Sequence, residues 1–228
     1  MPRLGVITGT RREASCLRSL LPSDHIDIAC SGANAGRARD LAEKALSAGH
    51  TALLSFGVAG GLDPALVSGT LVLVDSVIGP DGVTSPTDQR WRSAIAHDLK
   101  EADIDFVTGA AVGADEAISH PDPKQRLFEG TRALCVDMES HAVMQVARAR
   151  GVPWLAIRAI ADSAKDSLPE IAMAAIDDGG GVRYGALASR LLRQPSEIGD
   201  LIGLWRMSRR AFSSLGRVAF LPSLRGPL

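Results

Sequence analysis

The chain has 228 residues, of which 46% are apolar, and it carries a formal net charge of −1. This length suits one large α/β domain or two small ones, with enough apolar residues for a sizeable core. Aromatic residues make up only 4% of the chain, so the core must be aliphatic. The near-neutral charge argues against a nucleic-acid partner, because proteins that bind DNA or RNA usually carry a basic surface.

The cysteines and the N-terminus indicate the compartment. Cys16, Cys30 and Cys135 stand among apolar or small neighbours and form no disulfide framework, as is typical of buried thiols in a reducing compartment. The first residues lack the apolar stretch of a signal peptide, and no apolar run approaches the ~18 residues that a membrane span needs. We therefore expect a cytoplasmic protein.

Short apolar runs bounded by Gly, Asp or Pro recur along the chain and predict strands. Several are almost continuously hydrophobic, as in strands that are buried on both faces of a sheet. The predicted strands are Leu4–Ile7, Ile26–Cys30, Ala52–Val58, Leu71–Ile78, Phe106–Val112, Leu134–Val136 and Trp154–Ala161.

Longer segments with helical periodicity alternate with these strands. The predicted helices are Ala35–Ala48, Glu139–Arg150, Tyr184–Arg193 and Glu197–Leu215, and Asp177–Gly181 is predicted to be a mobile loop. The alternation predicts an α/β fold: a three-layer α-β-α sandwich around a central mixed, largely parallel sheet, with a C-terminal helical extension.

Polar residues stand where the predicted strands end. They form four segments, Thr8–Glu13, Gly57–Leu62, Asp137–Glu139 and Asp162–Ser163. In open α/β sheets, ligands bind beyond the carboxyl ends of the strands. We therefore expect the functional site at this edge of the sheet.

Three of these strand ends carry motifs with a family resemblance. Phe56–Leu62 (FGVAGGL), Val136–Ser140 (VDMES) and Arg158–Asp162 (RAIAD) resemble the nucleoside phosphorylase/nucleosidase superfamily. Their order and spacing match the methylthioadenosine/adenosylhomocysteine nucleosidases over roughly residues 4–192. The longer segments that look closer to the hopanoid-associated phosphorylases are Ser55–Pro64, Val136–His141 and Leu191–Pro195.

The resemblance implies an enzyme that cleaves the N-glycosidic bond of an adenine nucleoside. The hopanoid-associated branch is placed in lipid synthesis, where adenine is removed from adenosylhopane. Such a cleavage needs a proton for the departing purine, negative charge or oriented contacts near the cationic ribosyl carbon, and a nucleophile. The resemblance also implies at least a homodimer.

The resemblance assigns roles to the matching positions. Asp162 would protonate or hydrogen-bond adenine N7, and Ser163 beside it would bind substrate. Glu139 would hold the ribose hydroxyls, and Met138 would pack against the sugar. Glu13 falls where the nucleosidases keep the carboxylate that activates water.

Structural interpretations of the same residues stay open. Gly60 and Gly61 would let the backbone approach the substrate, although any tight turn favours glycine. Asp162 could cap a helix or turn, Glu139 could be a carboxylate favoured by a helix dipole, and Glu13 could be a solvated surface charge. The combination, in this order, is more specific than any member.

The nucleophile is open between water and inorganic phosphate as a co-substrate. Glu13 favours hydrolysis, because a carboxylate can deprotonate water but repels a phosphate dianion. Arg11, Arg12 and the turn that contains Gly32 are candidates for an anion-binding site. His141, which belongs to the hopanoid-type motif, is as compatible with packing as with catalysis.

Two departures from the family concern the 5′ side of the nucleoside. Val58 stands where the relatives commonly have a small polar residue, and the connections Glu13–Ser31 and Gly79–Asp88 are short. We hypothesise that the short connections open the pocket toward a bulky 5′ substituent such as hopane.

The last residues form a separate unit in this interpretation, with residues 1–195 as the nucleosidase-like domain and 196–228 as a basic amphipathic tail. Apolar residues from Ile198 to Ala219 recur at helical spacing, and four arginines accompany them. Such a helix either lies on an anionic membrane surface or packs on the core or on a partner subunit.

Three competing functions differ in what they require. A methylthioadenosine or adenosylhomocysteine nucleosidase would differ only in the 5′ group. A dinucleotide-binding oxidoreductase needs a G-x-G-x-x-G loop, which Thr8–Glu13 lacks. A non-catalytic nucleoside-binding module would not need all three carboxylates. No metal site is predicted, because the histidines lack paired ligand spacing; they are His25, His50, His97, His120 and His141.

Overall fold

The computed structural model describes residues 3–20, 24–168, 180–181 and 198–227. Within these residues, eight strands form one sheet. They are β1 Leu4–Thr8, β2 Ile26–Cys30, β3 Ala52–Gly61, β4 Leu71–Ile78, β5 Thr84–Pro86, β6 Val107–Gly113, β7 Cys135–Asp137 and β8 Trp154–Asp162. All seven predicted strands are confirmed to within a few residues. The short strand β5, which forms a hairpin with β4, was not predicted.

Six helices accompany the sheet in the described residues. They are α1 Arg11–Cys16, α2 Ala35–Ser47, α3 Gln89–Glu101, α4 Pro121–Thr131, α5 Ser140–Arg150 and α6 Ile198–Val218. Short 3-10 turns occur at Arg18–Leu20 and Pro222–Arg225. The predictions for α2, α5 and α6 are confirmed, whereas α1, α3 and α4 were missed. The predicted helix Tyr184–Arg193 and most of the loop Asp177–Gly181 lie outside the described residues.

The sheet is mixed, and part of it closes on itself. The order is β2-β1-β3-β7-β6-β4-β5, and β8 pairs in parallel with β3 and antiparallel with β4. The strands β3, β7, β6, β4 and β8 therefore form a closed ring, from which β1 and β2 extend. Five of the eight pairings are parallel. The predicted mixed, largely parallel sheet is confirmed, and its closure into a ring is an additional finding.

Helices cover both faces of the sheet, which gives three layers. On one face, Trp91 of α3 and Leu215 of α6 belong to an apolar cluster that includes β3 and β8 side chains. On the other face, Ala42 of α2 and Met144 of α5 pack with residues of β1, β4 and β8. The predicted three-layer α/β fold is confirmed.

The described end of the C-terminal segment belongs to the first of these clusters. Leu215, Val218 and Leu224 are fully buried, and the indole N–H of Trp91 donates to the carbonyl of Ser223 (2.7 Å). The apolar face of α6 is thus used for core packing from residue 211 onward. The domain boundary at residue 195 stays a prediction. No helix among the described residues is long and apolar enough to cross a membrane.

Candidate active site

A cleft of about 150 Å³ opens where β1, β3, β7 and β8 end. Its lining includes three carboxylates that are far apart in the sequence, Glu13, Glu139 and Asp162. Each of the three side chains is buried, with 3%, 7% and 3% of its residue surface exposed, respectively. The topology brings them together because α1 follows β1, α5 follows β7, and Asp162 is the last residue of β8.

Glu13 is fixed by three hydrogen-bond donors. The N–H and the hydroxyl of Thr10 donate to its Oε2 (2.5 and 3.0 Å), and the N–H of Val58 donates to its Oε1 (2.8 Å). Thr10 and Glu13 form a capping box at the start of α1. Burial raises the pKa of Glu13, and the hydrogen bonds and the Arg158 charge oppose the rise. A carboxylate has about four lone-pair sites, so roughly one remains for a water or ligand.

Glycines make room for this carboxylate. A Cβ at Gly57 would lie 2.5 Å from Oε1 of Glu13, which is closer than real Cβ contacts allow. A Cβ at Gly9 would lie 3.2 Å from Oε2 of Glu13 and 2.8 Å from Oε1 of Glu139. The two carboxyl groups therefore approach the same point of the backbone.

Glu139 faces Glu13 across this point. Its Oε1 accepts a hydrogen bond from the hydroxyl of Ser31 (3.1 Å), and its N–H donates to Asp137 Oδ1 (2.9 Å). Burial, followed by the negative charges of Glu13 and Asp137, raises the pKa of Glu139 to about 8. This environment favours the protonated form of Glu139, which can donate a hydrogen bond as well as accept one.

A buried arginine lies behind the carboxylates. Arg158 of β8 donates to Asp137 Oδ1 (3.0 Å) and to the hydroxyls of Ser55 (2.5 Å) and Ser140 (2.9 Å). Burial alone would raise the pKa of Asp137, but the Arg158 guanidinium holds it below the usual range. The positive charge of Arg158 also acts on Glu13 and Glu139. This side chain therefore limits the electrostatic cost of grouping acids in one cleft.

Asp162 forms an ion pair with a buried lysine. Nζ of Lys124, on α4, lies 2.5 Å from Oδ2 of Asp162. Burial raises the pKa of Asp162, whereas the Lys124 charge and hydrogen bond lower it. Gly60 allows this arrangement, because a Cβ there would lie only 3.3 Å from Oδ2 of Asp162 and 3.5 Å from Val136.

The other predicted substrate residues have different positions. Met138 and Gly60 line the cleft, whereas Gly61 and Ser163 do not. The N–H and the hydroxyl of Ser163 both donate to Asp166 Oδ2 (2.8 and 2.7 Å), which closes a turn after β8. The Ser163 hydroxyl is therefore already hydrogen-bonded to Asp166.

The three candidate anion-binding residues do not belong to the cleft lining, although Arg11 and Gly32 adjoin its members Thr10 and Ala33. Arg11, Arg12 and Gly32 are absent from it, and the guanidinium of Arg12 stacks 4.0 Å from the ring centroid of Phe212. The N–H of Arg11 donates to the carbonyl of Gly180 (2.9 Å). Their role in binding an anion stays a prediction.

A family model described as "Phosphorylase superfamily" matches residues 20–180, which is more than half of the chain. The chain belongs to the phosphorylase superfamily. Among curated relatives, the 5′-methylthioadenosine/S-adenosylhomocysteine nucleosidases of Mycobacterium bovis and Mycobacterium tuberculosis are each 28% identical to it. Each match covers 47% of this chain and 57% of the relative, so the chain spans little more than half the length of these relatives.

Several solved structures have a similar fold, and each can be superposed on nearly the whole of this chain. The 5′-methylthioadenosine/S-adenosylhomocysteine nucleosidase of Helicobacter pylori, in complex with a pyrrolidine compound, has a TM-score of 0.69 at 17% identity and covers 95% of this chain and 97% of its own. The futalosine hydrolase of Helicobacter pylori gives the same four values. The Campylobacter jejuni nucleosidase has a TM-score of 0.70 at 18% identity, with 96% and 97% covered. These likenesses concern the fold.

Two charged residues at the site, Arg158 and Lys124, were not predicted to have a role. Arg158 was only part of a motif, although a charged residue inside an otherwise hydrophobic strand was a signal for a buried ion pair. Lys124 gave no signal, because a lysine in a polar helical segment normally lies in solvent. In the part of the chain that the structure describes, no three His, Cys, Asp or Glu side chains gather as a metal site requires.

Proposed function

We propose that the chain is an enzyme that hydrolyses the N-glycosidic bond of an adenine nucleoside. The observation that carries this proposal is the position of Glu13, Glu139 and Asp162 around one cleft at the ends of the strands. Their environments differ, which suits three different tasks in one reaction. Glu13 accepts from three donors, the pKa of Glu139 is raised, and Asp162 faces a lysine.

The proposed reaction divides the chemistry among these carboxyl groups. Glu13 takes a proton from a water molecule, which attacks C1′ of the ribose as the bond to N9 breaks. Asp162 gives a proton to N7, so that the base leaves as neutral adenine. Glu139 hydrogen-bonds a ribose hydroxyl, and the site's negative charge stabilises the cationic sugar.

Charge favours water over phosphate as the nucleophile. None of the described residues that line the cleft is Lys or Arg, whereas its acidic members are Glu13, Glu116, Asp137, Glu139 and Asp162. The turn near Gly32 is also engaged, because the N–H groups of Ser31 and Ala33 donate to backbone carbonyls of the Thr8–Gly9 segment. A phosphate dianion would find repulsion and few donors here.

We further propose adenosylhopane as the substrate, on the strength of the longer hopanoid-type motifs. Val58 lines the cleft and gives it an apolar side chain where related enzymes commonly carry a polar one. The short β4–β5 connection does not line the cleft, so the hypothesis that it opens the 5′ side stays a hypothesis. The curated relatives favour the alternative, 5′-methylthioadenosine or S-adenosylhomocysteine.

The test is to incubate the purified protein with adenosylhopane in mixed micelles, or with either alternative nucleoside, with and without phosphate. Adenine and the sugar product are then measured by chromatography and mass spectrometry. We expect phosphate-independent adenine release, with the highest kcat/KM for adenosylhopane. A ribosyl 1-phosphate product would contradict hydrolysis, and a preference for methylthioadenosine would contradict the lipid substrate. No adenine from any of the three would contradict the proposal as a whole.

A lipid substrate would bring the enzyme to a membrane surface, and we propose that residues near the C-terminus contact this surface. We also propose that the protein is a homo-oligomer. Arg210 and Phe220 are both exposed near the C-terminus, and 77% of the Phe220 residue surface is accessible. Truncation is unsuitable as a test because Leu215 and Leu224 are core residues. We expect Arg210→Glu with Phe220→Ser to reduce co-sedimentation with anionic vesicles at unchanged melting temperature. Unchanged co-sedimentation would contradict the contact.

A further inference from the structure

Lys124 is a buried cation whose hydrogen-bonding capacity is fully used. Its Nζ donates to Asp162 Oδ2 (2.5 Å), to the carbonyl of Asp166 (2.8 Å) and to the carbonyl of Ser163 (2.9 Å). An ammonium group has three N–H donors, so each of them has a partner. None of the Lys124 residue surface is exposed.

Stability alone does not explain this lysine. Burying two opposite charges usually gains little, because the loss of hydration offsets their attraction, and apolar replacements are often as stable. A turn of two carbonyls could also be closed by a neutral donor. The pair lies instead at a cleft that is lined by four other carboxyl groups, which is where a tuned acidity has a use.

The geometry separates the two oxygens of Asp162. Lys124 binds Oδ2, which fixes the rotation of the carboxyl group and leaves Oδ1 as the oxygen for a bound base. When a proton leaves Oδ1, a full negative charge forms next to the ammonium. A fixed positive charge at that distance stabilises the product of the proton transfer more than the starting acid.

We propose that Lys124 is a positioning residue that makes Asp162 a stronger acid and orients its Oδ1 toward the departing base. In this step the Oδ1–H bond breaks, the proton joins N7, and the electrons of the C1′–N9 bond pass to the purine. The Asp162 carboxylate left behind is neutralised by Lys124, which does not touch the substrate. This inference rests on the proposed function, because it assigns Asp162 the transfer of that proton.

Other charged groups near Asp162 act in the opposite direction. Asp166, in the turn after β8, raises the pKa of Asp162 together with burial, whereas Lys124 on α4 lowers it. Across the cleft, the remaining titratable side chains of the lining are Glu13, Glu116, Asp137 and Glu139, all acidic. Within the described residues, Lys124 is therefore the cation that faces Asp162.

The decisive variants are Lys124→Met, which keeps the length and removes the charge, and Lys124→Arg, which keeps the charge. The alkaline limb of kcat/KM reports loss of the Asp162 proton. It should move up by about one to three pH units in Lys124→Met, since an adjacent opposite charge shifts a pKa by that amount. At the pH optimum, kcat should fall by about 10²-fold with little change in KM. Lys124→Arg should keep the alkaline limb and kcat close to their wild-type values. The control variant Arg126→Met removes an exposed cation from the same helix and should match the wild type.

A readout independent of turnover separates this inference from the proposed function. Carbon-13 NMR of labelled aspartates, assigned with Asp162→Asn, gives the Asp162 titration midpoint directly. The midpoint should rise in Lys124→Met, and in the wild type the Lys124 Nζ resonance should shift at the same midpoint. The wild-type measurement decides the matter even if Lys124→Met does not fold. Equal Asp162 midpoints, or an unmoved alkaline limb, would overturn the inference and leave the proposed function intact. A wild type that releases no base would overturn the proposed function, and with it the transfer of a proton from Asp162 to N7.

Discussion

Glu13→Gln is expected to lower kcat by about 10²- to 10⁴-fold on an adenine nucleoside, the usual contribution of a general base. An amide oxygen cannot take a proton from the attacking water, so the nucleophile would be neutral water. Glutamine keeps the capping-box contact, but its NH₂ group cannot accept the hydrogen bond of either Thr10 or Val58, so the melting temperature of the folded variant should fall. Steady-state kinetics, with thermal melting as a check on folding, measures both effects.

Two controls separate the chemistry of Glu13 from its mere presence. Glu43→Gln removes a partly exposed carboxylate from α2 that pairs with Arg150 (2.5 Å), and it should leave kcat unchanged. Gly57→Ala keeps the Glu13 carboxylate but places a Cβ only 2.5 Å from its Oε1, which must then move, so kcat should fall as well. Wild-type turnover in Glu13→Gln would remove Glu13 from the mechanism.

Asp162→Asn is expected to lower kcat by about 10²- to 10⁴-fold on adenine nucleosides, because asparagine cannot supply a proton to N7. The loss should depend on the leaving group. p-Nitrophenyl β-D-ribofuranoside releases a stable anion that needs no proton, so the variant should cleave it within a few-fold of the wild-type rate. Glu13→Gln should lose activity on both substrates, because both need an activated water.

The control for Asp162 is Asp122→Asn, which removes an exposed carboxylate from the first turn of α4. It should retain wild-type rates on both compounds. If Asp162→Asn lost equal activity on the nucleoside and on the p-nitrophenyl riboside, Asp162 would act on the sugar or on folding and not as the acid for the base.

Most strands and half of the helices could be predicted from local sequence. The strands were readable because several are buried on both faces, as β8 is at every position from Trp154 to Asp162. Helix α3 was missed although Trp91, Ile95 and Leu99 recur every four residues and all are buried. Helix α1 was missed because it has only six residues, although Thr10-x-x-Glu13 is a capping-box signature.

The candidate site was predicted in part. The three carboxylates were chosen from motifs at strand ends, and the structure brings all three to one cleft. Among the residues proposed for anion binding, Arg12 contacts the ring of Phe212, two hundred residues further along the chain, which local sequence could not show. Adjacent side chains on a helix point in different directions, so sequence proximity by itself does not imply a shared site.

The sequence by itself determined which segments become strands and which acids stand at their ends, because periodicity and glycine positions are local properties. Only the tertiary structure decided how those acids are charged. Arg158 reaches Asp137, Lys124 reaches Asp162, and Glu139 is driven toward its neutral form through contacts between distant segments. Electrostatic energy depends on the distance between charges and on their removal from water, and both are set only when the chain has folded.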